Sequence, residues 1–249
     1  MAPQGKAGGQ PVVGVIGGMG PDATVDLMRR VLMATPASDD ADHIRMIVDN
    51  NGKVPSRFKA LVEGGGEDPT PVLVAMARGL VGAGADFLVI PCNTAHHYRP
   101  AIAEAVDVPV ADMIGLSIAR IRSLLGANPK IGLLASPAVR ITGLFEKRCR
   151  EGGIEVLWPD AEADKAVVAV IKAVKAGGAS KAQMTAYRAV AQGLSDRGAG
   201  LLIIACTELS VAGGLDGLGA PALDTLDVLV DDILARCGVE RRAMAAAAE

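Results

Sequence analysis

Aromatic residues are scarce in this chain, since phenylalanine, tyrosine and tryptophan together make up 2% of its 249 residues. The sequence also lacks a run of basic residues, and its formal net charge is −3. Proteins that hold single-stranded nucleic acid combine aromatic stacking with positive charge, so a nucleic-acid partner is not expected. No apolar run reaches the roughly 18 residues of a membrane-spanning helix, so a membrane partner is not expected either.

Cysteine is also sparse, and no two of the four cysteines form a C-x-x-C pair. The N-terminal segment, residues 1–10, lacks the apolar centre of a secretory signal peptide. Free thiols in a reducing compartment are therefore expected, and the predicted location is the cytoplasm. The cysteines are Cys92, Cys149, Cys206 and Cys237.

With 50% hydrophobic residues but few aromatic ones, the core must be built from Ala, Val, Leu and Ile. Short β-branched segments predict strands at 11–17, 44–50, 85–91, 108–112, 130–136, 154–159, 200–205 and 220–224. Helical patterns lie between most of them, at 21–34, 70–83, 94–105, 114–126, 139–151, 162–176, 181–197 and 226–237. This alternation predicts an α/β fold with parallel sheets.

An internal repeat divides the chain into two related halves. Residues 76–92 align without a gap on residues 190–206, with eight of seventeen positions identical, including the pair Cys92 and Cys206. Two copies are too few for a solenoid and suit a pseudo-dimer. We therefore predict two pseudo-symmetric α/β domains, each with a four-stranded parallel sheet, and an active-site cleft between them.

Both repeated cysteines end an apolar strand candidate, where ligands bind in open α/β sheets. If the halves face each other, the two thiols approach one cleft from opposite sides. A thiolate and a thiol so placed can remove a proton from one face of a carbon and return one to the other face, without a metal or organic cofactor. The ordinary cysteine pKa of about 8.5 suits both roles, and helices beginning at Thr94 and Thr207 would favour a thiolate.

The carbanion formed by such a reaction needs hydrogen-bond donors around the substrate carboxylate. Asn93, Thr94 and Thr207 directly follow the two thiols and are candidates for this role. Cys149 and Cys237 have no comparable setting and are interpreted as packing residues.

Four motifs carry a resemblance to a known family: "GVIGGMGPDAT" (14–24), "DNNGKVPSR" (49–57), "PCNTAH" (91–96) and "ACTELS" (205–210). With weaker support from "AVKAG" (173–177) and "PALDTLD" (221–227), they span almost the whole chain in order. The chain resembles the aspartate/glutamate racemases that work without pyridoxal phosphate, and within them the aspartate racemase branch. Aspartate, with glutamate as the second substrate considered, is the expected small-molecule partner.

The resemblance implies that Cys92 and Cys206 are the two catalytic acid–base groups and that no cofactor is needed. It also implies substrate-binding residues at the α-carboxylate (Met19, Gly20, Asn93, Thr94, Thr207) and at the side-chain carboxylate (Arg57, Lys175). The family is further expected to form homodimers and to return its C-terminal part to the first domain. The predicted domains are thus residues 1–115 with 222–249, and residues 116–221.

Alternative interpretations remain open. The glycines of residues 14–20 do not have the G-x-G-x-x-G spacing of a dinucleotide site, and Cys92, His96 and His97 make only a weak metal-binding pattern. His96 is either a group that tunes the thiol or a structural residue. Other reactions of the superfamily, hydantoin racemisation or maleate isomerisation, compete with amino-acid racemisation. So does a non-enzymatic redox or anion-binding module locked by a Cys92–Cys206 disulfide.

Overall fold

The computed structural model of the chain describes residues 9–126 and 129–242. Residues 1–8, which form most of the segment from which a cytoplasmic location is predicted, lie outside this range. So do the outermost residues of the predicted first domain. None of the helices within the described ranges is long and apolar enough to cross a membrane.

The first sheet is parallel, in the order β2–β1–β3. Its strands are β1 (Val13–Gly17), β2 (Met46–Asn50) and β3 (Phe87–Val89). The helices of this half are α1 (Pro21–Ala34), α2 (Thr70–Gly82) and α3 (Arg99–Glu104), with short 3-10 helices at Asp40–Asp42 and Thr94–Tyr98 and a π-helix at Lys59–Glu63.

The second sheet is also parallel, in the order β5–β4–β6–β7. Its strands are β4 (Lys130–Ala135), β5 (Glu155–Leu157), β6 (Leu201–Ala205) and β7 (Ala222–Asp224). The remaining helices are α4 (Met113–Leu124), α5 (Pro137–Thr142), α6 (Glu146–Glu151), α7 (Ala161–Lys175), α8 (Lys181–Asp196), α9 (Thr207–Ala212) and α10 (Thr225–Arg236).

The predicted α/β class with two parallel sheets is confirmed, but the first sheet has three strands instead of the predicted four. The predicted strand at 108–112 contributes only one bridge, between Leu88 and Val110, before the chain enters α4. The predicted helix at 139–151 is two helices. Gly143 ends α5 in the left-handed conformation (φ +61°), which stops the helix and redirects the chain into α6.

The two halves share one hydrogen-bond register. Val13 pairs with Phe87 in the first sheet, and their repeat equivalents Ile131 and Leu201 pair in the second. The next connection is also repeated, since Leu88 N donates to Pro109 O over 2.8 Å and Leu202 N donates to Pro221 O over 2.9 Å. The sequence repeat is therefore a structural repeat that places both thiols after equivalent strands.

The C-terminal helix α10 joins the halves. It begins directly after β7, which pairs with β6 in the second sheet. Its buried residues Leu226, Leu229 and Ile233 nevertheless pack in the core on one side of the first sheet, with Leu27 of α1. The helix thus contacts both halves, while the predicted domain boundaries stay a prediction.

Gly14, the second residue of β1, permits the close packing of β3 and α2 on this strand. A Cβ atom on Gly14 would lie 2.5 Å from Leu88 Cδ2 in β3, 2.8 Å from Ala85 Cβ and 3.4 Å from Leu80 Cβ in α2. We expect Gly14→Ala to lower the free energy of unfolding by about 1–3 kcal/mol, because the core is overpacked. Urea denaturation followed by circular dichroism measures the change.

Gly79→Ala is the matched control. Gly79 is an exposed residue of α2 whose added Cβ would meet no atom within 4 Å. Alanine should stabilise the helix there by up to about 1 kcal/mol. If Gly14→Ala proved as stable as the wild type, the tight packing of α2 on β1 and β3 would be contradicted.

Candidate active site

Cys92 and Cys206 line one cavity of about 410 Å³ between the two halves. Cys92 follows β3 after two further residues, Cys206 follows β6 directly, and both are 6% exposed. The two strand ends therefore bring one thiol from each half to a single chamber. Of the nine predicted site residues, eight line it: Met19, Arg57, Cys92, Asn93, Thr94, Lys175, Cys206 and Thr207.

Gly20 is the exception, because it lines an adjoining cavity of about 440 Å³. Arg57, Lys175 and Glu208 lie in the walls of both cavities. These three charged side chains thus form a wall between the cavity that holds the thiols and the adjoining cavity.

The glycine-rich turn after β1 shapes one wall. Gly18 has φ +89°, and a Cβ atom on it would lie 2.2 Å from the backbone of Asn51. Only glycine fits this contact. Gly18 N donates to Thr24 Oγ1 over 2.9 Å, which fixes the turn to α1 and leaves the side chain of Met19 buried against the cavity.

Cys206 lies beside a carboxylate. Its Sγ donates to Glu208 Oε2 over 3.0 Å, and Glu208 Oε1 forms a 3.1 Å salt bridge with Lys175 Nζ. Burial raises the pKa of the Cys206 thiol well above its ordinary value, and the negative charge of Glu208 raises it further. Burial would lower the pKa of Lys175, but the charge and hydrogen bond of Glu208 outweigh it and raise that pKa.

Cys92 lies in a different charge environment. Burial also raises the pKa of its thiol, but the positive charge of Arg57 opposes this. Arg57 donates to the carbonyls of Val54 and Pro55 and forms no ion pair within the described residues. The expectation of ordinary thiol pKa values is therefore wrong, because burial in the cavity removes the water that stabilises a thiolate.

The side-chain amide of Asn93 has one hydrogen-bonded atom and one without a partner in the described residues. Its Nδ2 donates to Thr225 Oγ1 over 3.0 Å, and Thr225 Oγ1 donates to Ile204 O over 3.0 Å. Asn93 Oδ1 is buried and has no hydrogen-bond partner within the described residues. The atom left for a ligand is thus an acceptor.

The hydroxyl groups of Thr94 and Ser136 lie 3.2 Å apart and link the halves across the cavity. The sequence analysis did not identify Ser136. Aligning Gly14 with Gly132 in the repeat makes Ser136 the equivalent of Gly18 in the glycine-rich turn. Other lining residues that the sequence analysis did not identify are Ser56, Phe58, Ile171 and Lys172.

His96 is a structural residue. Its Nδ1 is 2.9 Å from Cys92 O, and its Nε2 is 3.1 Å from Met113 N, an amide that can only donate. Nδ1 therefore carries the proton and donates it to the Cys92 carbonyl. Burial lowers the pKa of His96 to about 4. The side chain holds the Cys92 backbone on the first residue of α4 and makes no hydrogen bond to the thiol.

His97, Cys149 and Cys237 do not line the cavity. His97 is exposed, and no group of three His, Cys, Asp or Glu side chains is placed to hold a metal ion among residues 9–126 and 129–242. Cys149 and Cys237 are buried in hydrophobic clusters, and all four cysteines are free thiols.

Residues 16–233 match the model of a family described as Asp/Glu/Hydantoin racemase. A curated relative, the "Broad specificity amino-acid racemase RacX" of Bacillus subtilis, is 26% identical over 203 residues, which is 80% of this chain and 86% of that protein. The solved aspartate racemase of Picrophilus torridus superposes with a TM-score of 0.83 at 26% identity, covering 93% of this chain and 96% of that one.

A glutamate racemase from Bacillus anthracis shares the fold. It superposes with a TM-score of 0.60 at 16% identity, covering 92% of this chain and 83% of that one. The cavity with its two thiols therefore lies in a fold found in solved aspartate and glutamate racemases.

The environment of His96 predicts a pH dependence of stability. The unfolded chain protonates this side chain near its ordinary pKa of about 6.5, whereas the folded chain resists protonation down to about 4. Its contribution to stability is complete above the higher value and is lost as the pH falls to the lower one. His96→Gln should flatten this part of the pH profile of unfolding free energy, by up to about 3 kcal/mol.

Urea denaturation between about pH 4 and 7 measures the effect. His97→Gln, at the exposed neighbouring position, should keep the wild-type profile. An unchanged profile in His96→Gln would show that this histidine is not held neutral.

Proposed function

The chain belongs to the Asp/Glu/hydantoin racemase family, and we propose that it interconverts L- and D-aspartate by two-base proton transfer without a cofactor. Glutamate is the second substrate considered. The observation that carries the proposal is the single cavity lined by Cys92 and Cys206, which come from equivalent positions of a duplicated fold. The racemases among its structural neighbours support the same chemistry.

One thiolate removes the α-proton, and the electron pair of the broken C–H bond delocalises into the α-carboxylate. The other thiol then gives its proton to the opposite face of the same carbon. The thiolate becomes a thiol and the thiol becomes a thiolate, so protons and charge balance. Each cysteine acts as base towards one enantiomer and as acid towards the other.

Different polar side chains of the cavity bind the ammonium, the α-carboxylate and the side-chain carboxylate of the amino acid. Asn93 Oδ1, a buried acceptor, takes a hydrogen bond from the substrate ammonium. This role replaces the one at the α-carboxylate that the resemblance implies, because the Asn93 donor is bonded to Thr225. The hydroxyls of Thr94, Ser136 and Thr207 donate to the α-carboxylate, where negative charge develops.

Arg57, which has no ion pair within the described residues, binds the side-chain carboxylate. Lys175, the second cation that the resemblance implies there, lines the same cavity but is paired with Glu208.

Substrate binding also changes the thiols. In the free protein both thiol pKa values are raised by burial. The ammonium of a bound amino acid favours a thiolate beside it, whereas the two carboxylates of aspartate disfavour one. Pairing of the side-chain carboxylate with Arg57 reduces that unfavourable effect.

A second candidate is a racemase of broader amino-acid specificity. The relative from Bacillus subtilis is named as such, and the cavity wall includes apolar side chains, among them Phe58, Val168 and Ile171. The contribution of Arg57 to aspartate binding distinguishes the aspartate racemase from the racemase of broader specificity. A homodimeric assembly, which the resemblance implies, and a cytoplasmic location, which the cysteine pattern predicts, complete the proposal.

Replacing either Cys92 or Cys206 by alanine should abolish racemisation, with a loss of at least about 100-fold, because each removes one of the two acid–base groups. In deuterated water without pyridoxal phosphate, the wild type should place deuterium at the α-carbon of the product enantiomer. Proton NMR and chiral chromatography measure exchange and racemisation. Cys149→Ala, in a core away from the cavity, should stay active, and an active Cys92→Ala or Cys206→Ala variant would overturn the proposal.

Arg57→Gln should raise KM for aspartate by about 10-fold or more, because a charge-assisted contact to the side-chain carboxylate is lost. KM for alanine, if it is turned over, should change little. Lys53→Gln, an exposed cation four residues earlier, is the control and should leave both values unchanged. Equal changes for aspartate and alanine would favour the broader racemase.

A further inference from the structure

The repeat makes the two thiols equivalent in position, but the residue two places further along differs between the halves. It is Thr94 after Cys92 and Glu208 after Cys206. Thr94 turns to Ser136 in the other half, whereas Glu208 turns back to the thiol of its own half. A neutral hydroxyl and a carboxylate thus occupy matching positions beside the same chemical group.

Both oxygens of Glu208 are engaged. Oε2 accepts from Cys206 Sγ over 3.0 Å, and only a protonated sulfur can donate such a bond. Oε1 pairs with the ammonium of Lys175 over 3.1 Å. Glu208 is 7% exposed, so little water screens its charge from the sulfur next to it.

Cys92 has no comparable acceptor. Its Sγ donates to no carboxylate within the described residues, and the charge that most affects it after burial is the guanidinium of Arg57. Burial raises both thiol pKa values, but Arg57 opposes the rise at Cys92 while Glu208 adds to it at Cys206. Glu208 also raises the pKa of Cys92, and Lys175 lowers both pKa values, but the charge with the largest effect is positive at Cys92 and negative at Cys206.

We propose that Glu208 is a positioning residue that keeps the proton on Cys206, so that the free enzyme holds Cys206 as the thiol and Cys92 as the cysteine that ionises first. The kinetic part of this proposal rests on the racemase function proposed above. The protonation part concerns the two thiols alone and holds whether or not aspartate is the substrate.

If Cys92 ionises before Cys206, KM and kcat should differ between the two directions of racemisation. The enantiomer whose α-proton faces Cys92 meets the more populated of the two singly ionised forms of the enzyme, with Cys92 as thiolate and Cys206 as thiol. Turnover leaves Cys92 as thiol and Cys206 as thiolate, beside a carboxylate that disfavours it. Cys92 must then lose a proton to solvent and Cys206 must regain one. The Glu208–Lys175 pair connects the Cys206 sulfur to a side chain that is 55% exposed.

Thiol alkylation by iodoacetamide tests the protonation part. Rates are measured against pH, and mass spectrometry of digested peptides separates the four cysteines. In the wild type, Cys92 should react with a lower pH midpoint than Cys206. Glu208→Gln keeps the shape of the side chain and removes its charge, so the Cys206 midpoint should fall by about one pH unit or more.

Lys175→Gln gives an independent test of opposite sign. It leaves the Glu208 charge unbalanced, so the Cys206 midpoint should rise. Glu162→Gln removes a carboxylate from an exposed pair with Lys165 and should shift nothing. A Cys206 midpoint that is unchanged or higher in Glu208→Gln, or a wild type in which Cys206 ionises before Cys92, would overturn the proposal.

The kinetic part is tested with both enantiomers of aspartate. Thermodynamics requires equal kcat/KM in the two directions, because enantiomers have the same free energy. KM and kcat should nevertheless differ between them in the wild type and converge in Glu208→Gln, a split that a merely structural role would not produce. Unchanged asymmetry would contradict the kinetic role, whereas a wild type inactive on amino acids, with the alkylation shifts intact, would refute only the proposed function.

Discussion

The common register of the two parallel sheets is the constraint on which the site depends. Side chains in a strand alternate between faces, so a shift of one residue would turn every side chain to the other face. Val13 opposite Phe87 and Ile131 opposite Leu201 fix the same alignment twice. The chain leaves β3 and β6 at matching points, and the two thiols meet the same cavity. Gly14 and Gly132 allow this by letting a helix approach each central strand.

A symmetric backbone carries an asymmetric charge distribution. Each thiol is buried to the same extent, and burial alone would raise both pKa values. The difference arises from side chains outside the matching backbone, with Arg57 near Cys92 and Glu208 bonded to Cys206. Beside side chains as buried as these thiols and Glu208, charges act with less screening than at the surface. Duplication can therefore supply two equivalent groups, and a single carboxylate can then assign them different proton occupancies.

Much of the fold follows from local sequence patterns. The bounds of α1 agree with the prediction because Pro21 begins the helix and apolar residues recur at helical spacing. The strand at 108–112 was overpredicted because its β-branched residues do not reveal that the chain enters α4 at once. The sequence repeat and the motifs were enough to predict most residues that line the cavity. The raised thiol pKa values could not be predicted, because they depend on burial between segments that are distant in the sequence.

The wall shared by the two cavities links recognition to chemistry. Arg57, Lys175 and Glu208 lie on it together, and the three carry one net positive charge. A carboxylate that enters beside Arg57 also comes within the field of Lys175, and it then competes with Glu208 for that ammonium. Any weakening of the Lys175–Glu208 pair leaves Glu208 a stronger acceptor for the proton of Cys206. The protonation of one thiol is thus physically coupled to whether the bound ligand carries a second negative charge, so substrate selection and acid–base chemistry in this cavity cannot be independent properties.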